Sequence, residues 1–466
     1  MIKRPAKTIA PMAHQKVSLA HDDTTPIVFD MSDPGTGKTF VRIRAFGRRR
    51  ARGGGCLLVL APRTLLRTAW ANDFQKFAPD LKVSVATAAN RATAMAADAD
   101  VYITNHDAVK ELIKLPKAYW LKFSEIVVDE SPAFKHHTSQ RSRAMAKLAS
   151  NRCWKHRAML TATPISNGIT DIWNQVYLLD GGQRLGPQFY GFRNSVCTPI
   201  QQSSWNQNAI KWQDKDGAEE AVFGLLSDIV VRHRFEDCVD IPETHSYSVD
   251  YELPTKQRRV YDEMEQAQLL FLAKTKVTAV NAAAVATKLL QIASGAVYDN
   301  DGSYHVVDKS RYELLLDLAE ARKHPLMLFF WRHQKELLVE EAGKRGLTFA
   351  VLDGDTNDAE RMAIVTAYQR GAYDVLFGHP QTVAHGLTLT KGTSIIWPGP
   401  TYNLEWWKQA NRRQARIGQT LKTEVVTVLA PGTVEERVYS LCMAKDTRQV
   451  NLLDLFSSMT PQAEAA

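Results

Sequence analysis

Short runs of apolar residues recur along most of the chain, and segments with helical spacing separate them. Runs that are apolar throughout and alternate with helices are typical of strands in parallel sheets covered on both faces. Two sets of such runs predict an α/β protein with two parallel sheets. The first set is PIVFDM (26–31), CLLVLAP (56–62), VYIT (101–104), EIVVDE (125–130) and RAMLTAT (157–163), and the second is PLMLFFW (325–331), TFAVLDG (348–354), DVLFGH (374–379), SIIWPG (394–399) and EVVTVLA (424–430).

The stretch between the two sets has a different pattern, with polar loops and a long helical segment at residues 253–293. We place a domain boundary in this stretch, at residue 245. Residues 1–245 are expected to form the first domain and residues 246–456 the second, and residues 457–466 are predicted to be a disordered tail. Each domain is expected to carry a short protrusion, at about 181–235 in the first and at about 253–293 in the second.

The charge and cysteine content narrow the class of protein. The chain carries 58 Lys and Arg against 50 Asp and Glu, a net charge of +8. This excess suits a polyanionic partner, although a basic enzyme without one is the commoner case. The five cysteines form no C-x-x-C pair, which argues against a disulfide framework or a zinc site. No apolar stretch has the length of a membrane span and the N-terminus lacks a signal-peptide core, so a cytoplasmic protein is expected.

A glycine-rich loop follows the first apolar run, in VFDMSDPGTGKTF (28–40). Backbone N–H groups of a loop between a strand and a helix can surround phosphates, and the sequence fits G-x-x-x-x-G-K-[ST] except that Ser32 replaces the first glycine. Lys38 would reach the β- and γ-phosphates of ATP, and the Thr39 hydroxyl would bind Mg²⁺. A glycine-rich turn of no function is the alternative. The residues predicted to bind the nucleotide here are Asp33, Pro34, Gly35, Thr36, Gly37, Lys38 and Thr39.

The helix predicted after this loop is rich in arginine. Such a helix is more typical of a solvated face with a basic C-terminus than of a helix that enters a DNA groove. The arginines are Arg42, Arg44, Arg48, Arg49, Arg50 and Arg52.

Two acidic residues, Asp129 and Glu130, end the apolar run EIVVDE. The ends of neighbouring parallel strands meet at one crevice, so these carboxylates are expected near the phosphate loop. Asp129 is assigned to Mg²⁺, and Glu130 is assigned to orienting and deprotonating the attacking water. Alone, the pair would be read as surface acids; the phosphate loop favours the catalytic interpretation.

These motifs together resemble helicase superfamily two, and in particular its Swi/Snf branch of DNA translocases. The resemblance extends over nearly the whole chain in motif order. In the first domain, the similar segments are PMAHQKVSLA, MSDPGTGKT, LVLAPRTLLRTAWANDFQKFAP (58–79), ITNHD (103–107), VVDESPAFK and LTATPISNGITDIWNQVYLLD (160–180); further along they are VRHRFEDCVDIP (231–242), VLDGDTNDAER (351–361) and residues 381–419, which end in RIGQ.

Gln409, Arg413 and Arg416 have the spacing i, i+4, i+7, which predicts that they share one helix face. Guanidinium groups suit the charge that develops on a transferring phosphate. The resemblance implies that Arg413 and Arg416 are arginine fingers and that Gln409 lies at the nucleotide. Binding of DNA phosphates or of an acidic surface is the alternative for the arginines.

The resemblance implies two tandem RecA-like lobes with ATP bound between them, and a motor that moves on nucleic acid. It makes Gln15 the adenine reader, and Thr161 and Thr163 the residues that couple hydrolysis to DNA. The resemblance also predicts a set of contacts to a nucleic-acid strand. For each of these residues, a role in capping a local loop is nearly as plausible. Those contacts are Arg63, Thr64, Thr104, Asn105, Thr382, His385 and Gly386.

The preferred function is ATP-dependent translocation along double-stranded DNA without strand separation, because no strand-separating pin can be identified. The protein is expected to act as a monomer of bacterial or phage type, and the sequence identifies no recruiting protein. Two alternatives stay open. One is a strand-separating helicase on DNA or RNA; the other is a DNA- or partner-binding module with a vestigial ATPase, motivated by departures at Ser32 and Pro132.

Overall fold

The computed structural model describes residues 10–165, 168–201, 210–238, 242–274, 279–299, 301–383, 387–401, 403–416 and 418–443. The chain divides into two compact units, Met1–Asp240 and Ile241–Ala466. Each unit has its own parallel sheet, so the predicted α/β class with two parallel sheets is confirmed. Within the described ranges, no helix is long and apolar enough to cross a membrane.

The first unit contains a seven-stranded sheet in the order β3-β4-β2-β5-β6-β1-β9, and every neighbouring pair is parallel. Side chains of the central strands alternate between two core clusters, with Leu58 and Val128 on one face and Val59 and Val127 on the other. The strands are β1 (Ile27–Asp30), β2 (Cys56–Ala61), β3 (Val83–Ala86), β4 (Val101–Asn105), β5 (Phe123–Asp129), β6 (His156–Leu160), the hairpin strands β7 (Cys197–Gln201) and β8 (Ile210–Asp214), and β9 (Val230–Val231).

Helices cover both faces of this sheet. They are α1 (Ala13–Thr24), α2 (Lys38–Ala51), α3 (Asn72–Phe77), α4 (Arg91–Ala96), α5 (Val109–Leu112), α6 (Gln140–Ala149), α7 (Asp171–Asp180), α8 (Phe189–Val196), α9 (Ala218–Leu225) and α10 (Phe235–Cys238). A π-helix at Leu66–Ala71 and single 3₁₀ segments at His106–Ala108, Lys117–Lys122 and Ser131–Phe134 complete the unit.

Arginines of α2 form ion pairs with acids of other elements. Arg42 pairs with Asp22 of α1, and Arg49 joins Asp22 (2.6 Å) to Glu125 of β5 (2.7 Å). Arg42 is only 2% exposed. The prediction of a solvated arginine face is therefore wrong for Arg42 and Arg49, because long-range carboxylates compensate their buried charges.

The second unit contains a six-stranded sheet in the order β10-β17-β16-β13-β15-β14, and its neighbouring strands are again parallel. Met327 and Phe377 face one core cluster, and Leu328 and Leu376 face the other. The strands are β10 (Thr244–Asp250), β11 (Ala296–Tyr298) and β12 (Tyr304–Val306) of a separate hairpin, β13 (Leu326–Leu328), β14 (Phe349–Leu352), β15 (Val375–Gly378), β16 (Ser394–Trp397) and β17 (Thr423–Leu429).

The helical segment expected at residues 253–293 is confirmed as two helices, the first two of this unit. The helices of the second unit are α11 (Thr255–Lys274), α12 (Ala279–Ala293), α13 (Ser310–Glu320), α14 (Arg332–Lys344), α15 (Asp358–Gln369), α16 (Pro380–Val383), α17 (Leu404–Asn411) and α18 (Val434–Met443).

His333 at the start of α14 is fully buried and should make the second unit sensitive to acid. Its Nε2 lies 2.9 Å from the Ser294 hydroxyl, its Nδ1 lies 3.1 Å from the Tyr298 hydroxyl, and burial lowers its pKa to about 3. An unfolded histidine titrates near ~6.5, so the unfolded chain binds the proton more tightly than the folded chain. We expect His333 to contribute stability above that pH and to lose it as the pH falls toward 3, by up to about 1.4 kcal/mol per pH unit.

Urea unfolding of the wild type and of His333→Gln at a series of pH values measures this contribution. The variant should show a shallower loss of stability on acidification. His305→Gln, which changes an exposed histidine of the neighbouring hairpin, is the control and should keep the wild-type slope. Equal slopes in all three proteins would contradict the prediction.

Candidate functional site

The phosphate loop connects β1 to α2 through two glycines with left-handed backbone. Gly35 has φ of 88° and Gly37 has φ of 85°. Ser32 is not among the residues with positive φ, so the departure from glycine imposes no backbone strain. The Lys38 ammonium donates to the carbonyl oxygens of Ser32 (2.5 Å) and Asp33 (3.2 Å). Lys38 thus closes the loop on itself through these two hydrogen bonds.

A further hydrogen bond within the phosphate loop stabilises its conformation. The Thr36 hydroxyl donates to the Asp33 carbonyl (2.9 Å), and Thr36 is 3% exposed. Pro34 is half-buried, and Thr39 is half-buried in the first turn of α2. The structure therefore brings together every residue that the sequence assigned to this loop.

Helix α1 packs its N-terminal end against the loop. His14 Nε2 lies 2.7 Å from the Thr36 carbonyl oxygen, and Gln15 Nε2 donates to the same oxygen at 3.2 Å. A Cβ atom on Gly37 would lie 2.4 Å from Gln15 Nε2, so a larger residue there would displace the Gln15 amide as well as strain the backbone. Gln15 thus contacts the phosphate loop directly; His14 was not predicted, although it is its neighbour in the glutamine motif.

Asp129 lies at the end of β5, two strands away from β1 in the sheet. Its Oδ2 accepts from the Trp70 indole at 2.8 Å, and its Oδ1 accepts from the Glu130 backbone N–H at 3.1 Å. Burial raises the pKa of the Asp129 carboxyl, while the Trp70 indole and the Lys38 ammonium act in the opposite direction. A half-buried carboxylate close to a phosphate loop fits a Mg²⁺ ligand, because Mg²⁺ takes one or two carboxylates together with nucleotide phosphates.

Trp70 was not predicted as a site residue, although it lies in the segment 58–79 that resembles the family. The other missed neighbour is His106, whose Nε2 lies 2.7 Å from the Asp129 carbonyl oxygen. Burial lowers the pKa of His106 to about 4. Both side chains hold Asp129 from positions more than 20 residues distant, which no local pattern reveals.

Glu130 has an unusual backbone conformation. Its φ of 49° and ψ of 59° lie in the left-handed region, which is rare for a residue with a side chain. Strain of this kind concentrates at functional sites, where it fixes the direction of a side chain. The conformation turns the chain directly after Asp129 and leads into the 3₁₀ segment that begins at Ser131.

Strand β6 lies between β5 and β1, and its end carries the predicted coupling residues. Thr161 is 1% exposed, its backbone N–H donates to the Asp30 carbonyl at 3.0 Å, and its hydroxyl accepts from the Thr163 backbone N–H at 3.0 Å. Thr161 and Thr163 therefore form one turn between the acidic pair and the phosphate loop.

Hydrogen bonds through Gln175 join the segment that follows Asp129 and Glu130 to the segment that follows the Thr161–Thr163 turn. The Ser131 hydroxyl donates to Gln175 Oε1 at 2.6 Å, and Gln175 Nε2 donates to the Pro164 carbonyl at 2.8 Å. Pro132, one of the two departures from the family pattern, has no polar side chain with which to make such a link. Ser131 and Gln175, both fully buried, provide it instead.

The residues predicted to contact nucleic acid in the first unit lie at different depths. Arg63 is exposed, and Thr64 and Asn105 are half-buried. Asn105 Oδ1 accepts from Arg91 at 3.4 Å. Thr104 is fully buried, and its hydroxyl donates to the Ala86 carbonyl at 2.8 Å. The Thr104 side chain is therefore buried rather than exposed at a surface, because both faces of β4 are covered.

In the second unit, Thr382 lies in α16 and is 8% exposed. His385 and Gly386 lie outside the described residues. Thr382 has its backbone N–H bonded to the His379 carbonyl at 2.9 Å.

The arginine motif does not form the continuous helix face that the spacing predicted. Helix α17 ends at Asn411, and Arg413 and Arg416 lie in the turns that follow. Their side chains nevertheless converge, since both donate to the Leu387 carbonyl, Arg413 at 3.4 Å and Arg416 at 2.8 Å. Arg413 also donates to the Gln409 carbonyl at 2.8 Å, which satisfies an orphan group at the helix end.

Buried polar contacts explain why the helix ends. Gln414 is fully buried, and its amide donates to the Tyr368 hydroxyl at 3.2 Å. Gln419 Nε2 donates to the carbonyls of Thr390 and Gly392, both at 3.1 Å. These contacts draw the chain out of the helix and fix the turns that carry the two arginines.

Comparison with known proteins gives two family matches. A model of the SNF2-related domain matches residues 19–296, and a model of the helicase conserved C-terminal domain matches residues 310–418. The putative protein p41 of Acyrthosiphon pisum secondary endosymbiont phage 1 is 28% identical over 469 residues, which cover 96% of this chain and 99% of that protein.

Longer proteins match over most of this chain. A SWI/SNF-related matrix-associated actin-dependent regulator of chromatin subfamily A-like protein 1 from Xenopus tropicalis is 23% identical over 89% of this chain and 42% of its own length. The putative ATP-dependent helicase/translocase YwqA of Bacillus subtilis (strain 168) is 24% identical over 89% of this chain and 45% of its own. The chain thus spans less than half the length of these two relatives.

Among solved structures, the Sulfolobus solfataricus SWI2/SNF2 ATPase core in complex with dsDNA matches with a TM-score of 0.45 and 18% identity. That match covers 99% of this chain and 97% of the other.

Proposed function

The chain belongs to the SNF2-related family of helicase superfamily two, and we propose that it is an ATP-driven motor that moves along double-stranded DNA without separating the strands. The observation that carries the proposal is the arrangement at one edge of the first sheet. The loop that contains Lys38 follows β1, Asp129 and Glu130 lie at the end of β5, and β6 lies between these two strands. A lysine in a phosphate-binding loop and an acidic pair at a strand end on the same edge of the sheet are the elements that phosphoryl transfer from ATP requires.

The phosphate loop would bind the nucleotide through its backbone N–H groups and Lys38. Lys38 would exchange the carbonyls of Ser32 and Asp33 for phosphate oxygens, which carry more charge. Thr39 and Asp129 would hold Mg²⁺, which supplies positive charge to the β- and γ-phosphates when bound. Gln15 is proposed to contact the adenine, next to its contact with the loop.

Glu130 is proposed to orient the attacking water and to accept its proton. Arg413 and Arg416 are proposed to stabilise the charge that develops on the γ-phosphate, with Gln409 also contacting the nucleotide. Hydrolysis would then need residues from both units of the chain.

Thr161 and Thr163 are proposed to transmit the state of the nucleotide to the DNA, since their turn adjoins both the acidic pair and β1. Arg63, Thr64, Asn105 and Thr382 are proposed to contact phosphates of one strand. His385 and Gly386, outside the described residues, remain proposed contacts. Thr104 would act on this surface through its neighbour Asn105, because its own side chain is buried.

The test is ATP hydrolysis by the purified protein without nucleic acid and with blunt double-stranded DNA, single-stranded DNA or RNA. We expect blunt duplex to give the largest stimulation and raised salt to weaken it, because phosphate contacts release counterions. Lys38→Ala should abolish the activity. Lys147→Ala, which removes an exposed lysine from α6, is the matched control and should behave as the wild type.

Two further assays separate the alternatives. Displacement of a triplex-forming strand from duplex DNA without unwinding of a tailed duplex supports translocation. Unwinding of the tailed duplex, with single strands or RNA as the best stimulators, would establish a strand-separating helicase instead. A wild-type protein with the same hydrolysis rate as Lys38→Ala on every nucleic acid would favour a binding module with a vestigial ATPase.

A further inference from the structure

Ser32 occupies the position where phosphate loops usually carry glycine, and its hydroxyl makes a contact that glycine could not make. The side chain is 1% exposed, and Oγ accepts from the His233 backbone N–H at 3.1 Å. The two residues are 201 positions apart in the sequence. A buried acceptor for a backbone N–H is costly to lose, so the substitution links the loop to a distant segment.

The same segment touches the loop at three other points. The Asp33 backbone N–H donates to the His233 carbonyl at 2.9 Å, and Asp33 Oδ2 accepts from the Phe235 backbone N–H at 3.1 Å. A Cβ atom on Gly35 would lie 2.8 Å from the Phe235 ring. Residues 231–235 therefore continue the β1–β9 pairing and run alongside the loop; we call them the loop brace.

The loop brace also reaches helix α1. His233 Nε2 lies 2.8 Å from the Ser18 hydroxyl, and its ring meets the His14 ring edge to face with centroids 5.4 Å apart. His14 and Gln15 in turn contact the Thr36 carbonyl. The loop is thus held by α1 on one side and by the loop brace on the other, and His233 joins the two.

We propose that Ser32 and Phe235 are positioning residues for nucleotide binding, and that the loop brace transmits the state of the phosphate loop to the segment that leads into the second unit. The proposal rests on the proposed use of ATP at this loop. Its physical basis is that Lys38 bonds the carbonyls of Ser32 and Asp33, the same two residues that the loop brace holds. A nucleotide that draws Lys38 away from these carbonyls acts directly on residues bonded to His233 and Phe235.

The test combines nucleotide affinity with amide hydrogen exchange. AMP-PNP with Mg²⁺ is titrated into the wild type and into Ser32→Gly, which restores the usual loop residue and removes only the hydroxymethyl group. We expect Kd to rise about three- to tenfold in the variant, as for loss of one buried hydrogen bond. Exchange in peptides covering residues 231–238 should be faster in Ser32→Gly without nucleotide, and the change that AMP-PNP causes there in the wild type should be reduced.

A second variant addresses the other contact. Phe235→Leu keeps an apolar side chain but alters the packing on Gly35, and it should raise Kd for AMP-PNP without changing residue 32. Ser294→Ala is the matched control, since Ser294 is also 1% exposed but belongs to the second unit. It should leave Kd and exchange in 231–238 as in the wild type.

The outcomes separate this proposal from the proposed function. If neither Ser32→Gly nor Phe235→Leu changes the Kd for AMP-PNP or the exchange in residues 231–238, the proposed role of the loop brace is overturned, whatever the ATPase activity. A wild-type protein that binds AMP-PNP but hydrolyses no ATP on any nucleic acid would overturn the motor function, while faster exchange and weaker binding in Ser32→Gly would still support the loop brace.

Discussion

Glu130→Gln is expected to lower kcat for ATP hydrolysis by about 10²- to 10⁴-fold, the range typical of a lost general base. Gln has nearly the same shape as Glu, so the left-handed backbone at this position should persist in the variant. In the proposed site, ground-state contacts to ATP would come from the phosphate loop rather than from Glu130. Kd for ATP should therefore change by less than about threefold, as expected for a group that acts only in the transition state.

Single-turnover hydrolysis in the presence of duplex DNA and a separate binding titration measure the two quantities. Glu111→Gln, which changes an exposed glutamate of α5, is the matched control and should keep full activity. Hydrolysis by Glu130→Gln at the wild-type rate would refute the assignment of Glu130 as the base.

Glu130→Gly tests whether the strained backbone serves the site. Glycine adopts the left-handed conformation without penalty, so this variant should be at least as stable as the wild type although it is inactive.

Glu435→Ala is expected to destabilise the second unit by about 3–5 kcal/mol, the usual cost of breaking a buried ion pair. Glu435 and Arg311 are 2% and 1% exposed and form two parallel hydrogen bonds of 2.9 and 2.8 Å. Arg311 also donates to the carbonyls of Ala293 and Val428. Removal of the carboxylate would leave a buried guanidinium without its counter-charge, in contact with two carbonyl oxygens and the neutral ring of Tyr251.

Hydrogen exchange in peptides of α12 and β17 reports the opening of this unit without interference from the first. Glu436→Ala is the control, because this neighbouring glutamate is exposed and should affect stability by less than about 1 kcal/mol. Exchange rates in Glu435→Ala that match those in Glu436→Ala would show that Arg311 is compensated in another way.

The sequence predicted the strands that are formed by runs of apolar residues and missed those that are not. Each of the ten apolar runs overlaps a strand of one of the two sheets. The sheet strands that were missed are β3, β9 and β10. Strand β10 reads THSYSVD and is largely exposed at the edge of its sheet, and β9 has only two residues. Their pairing depends on a partner elsewhere in the chain, which composition does not reveal.

The sequence predicted the site residues that belong to short contiguous motifs. The loop residues follow from a motif, and Asp129 and Glu130 follow from a strand end. The supports of the site could not be predicted, because Trp70 and Gln175 act through contacts with residues distant in sequence. The helix assumed for Arg413 and Arg416 was wrong for the same reason.

The arginines of helix α2, which follows the phosphate loop, show that the number of basic residues alone does not identify a basic surface. Arg42 and Arg49 are balanced within the fold by Asp22 and Glu125, so they contribute little to an external field. The net charge of +8 can therefore support DNA binding only through basic residues on other surfaces of the protein.

The position of β9 has a consequence for how the protein is made. Strand β1, near the N-terminus, lies between β6 and β9, and the loop that follows it contacts His233 and Phe235. During synthesis on a ribosome, these contacts cannot form until the chain has been extended past Phe235. The phosphate loop therefore acquires its native surroundings only after nearly all of the first unit has emerged, and the closure of such a long segment slows this step. A motif near the start of the chain is therefore among the last parts of its unit to be completed.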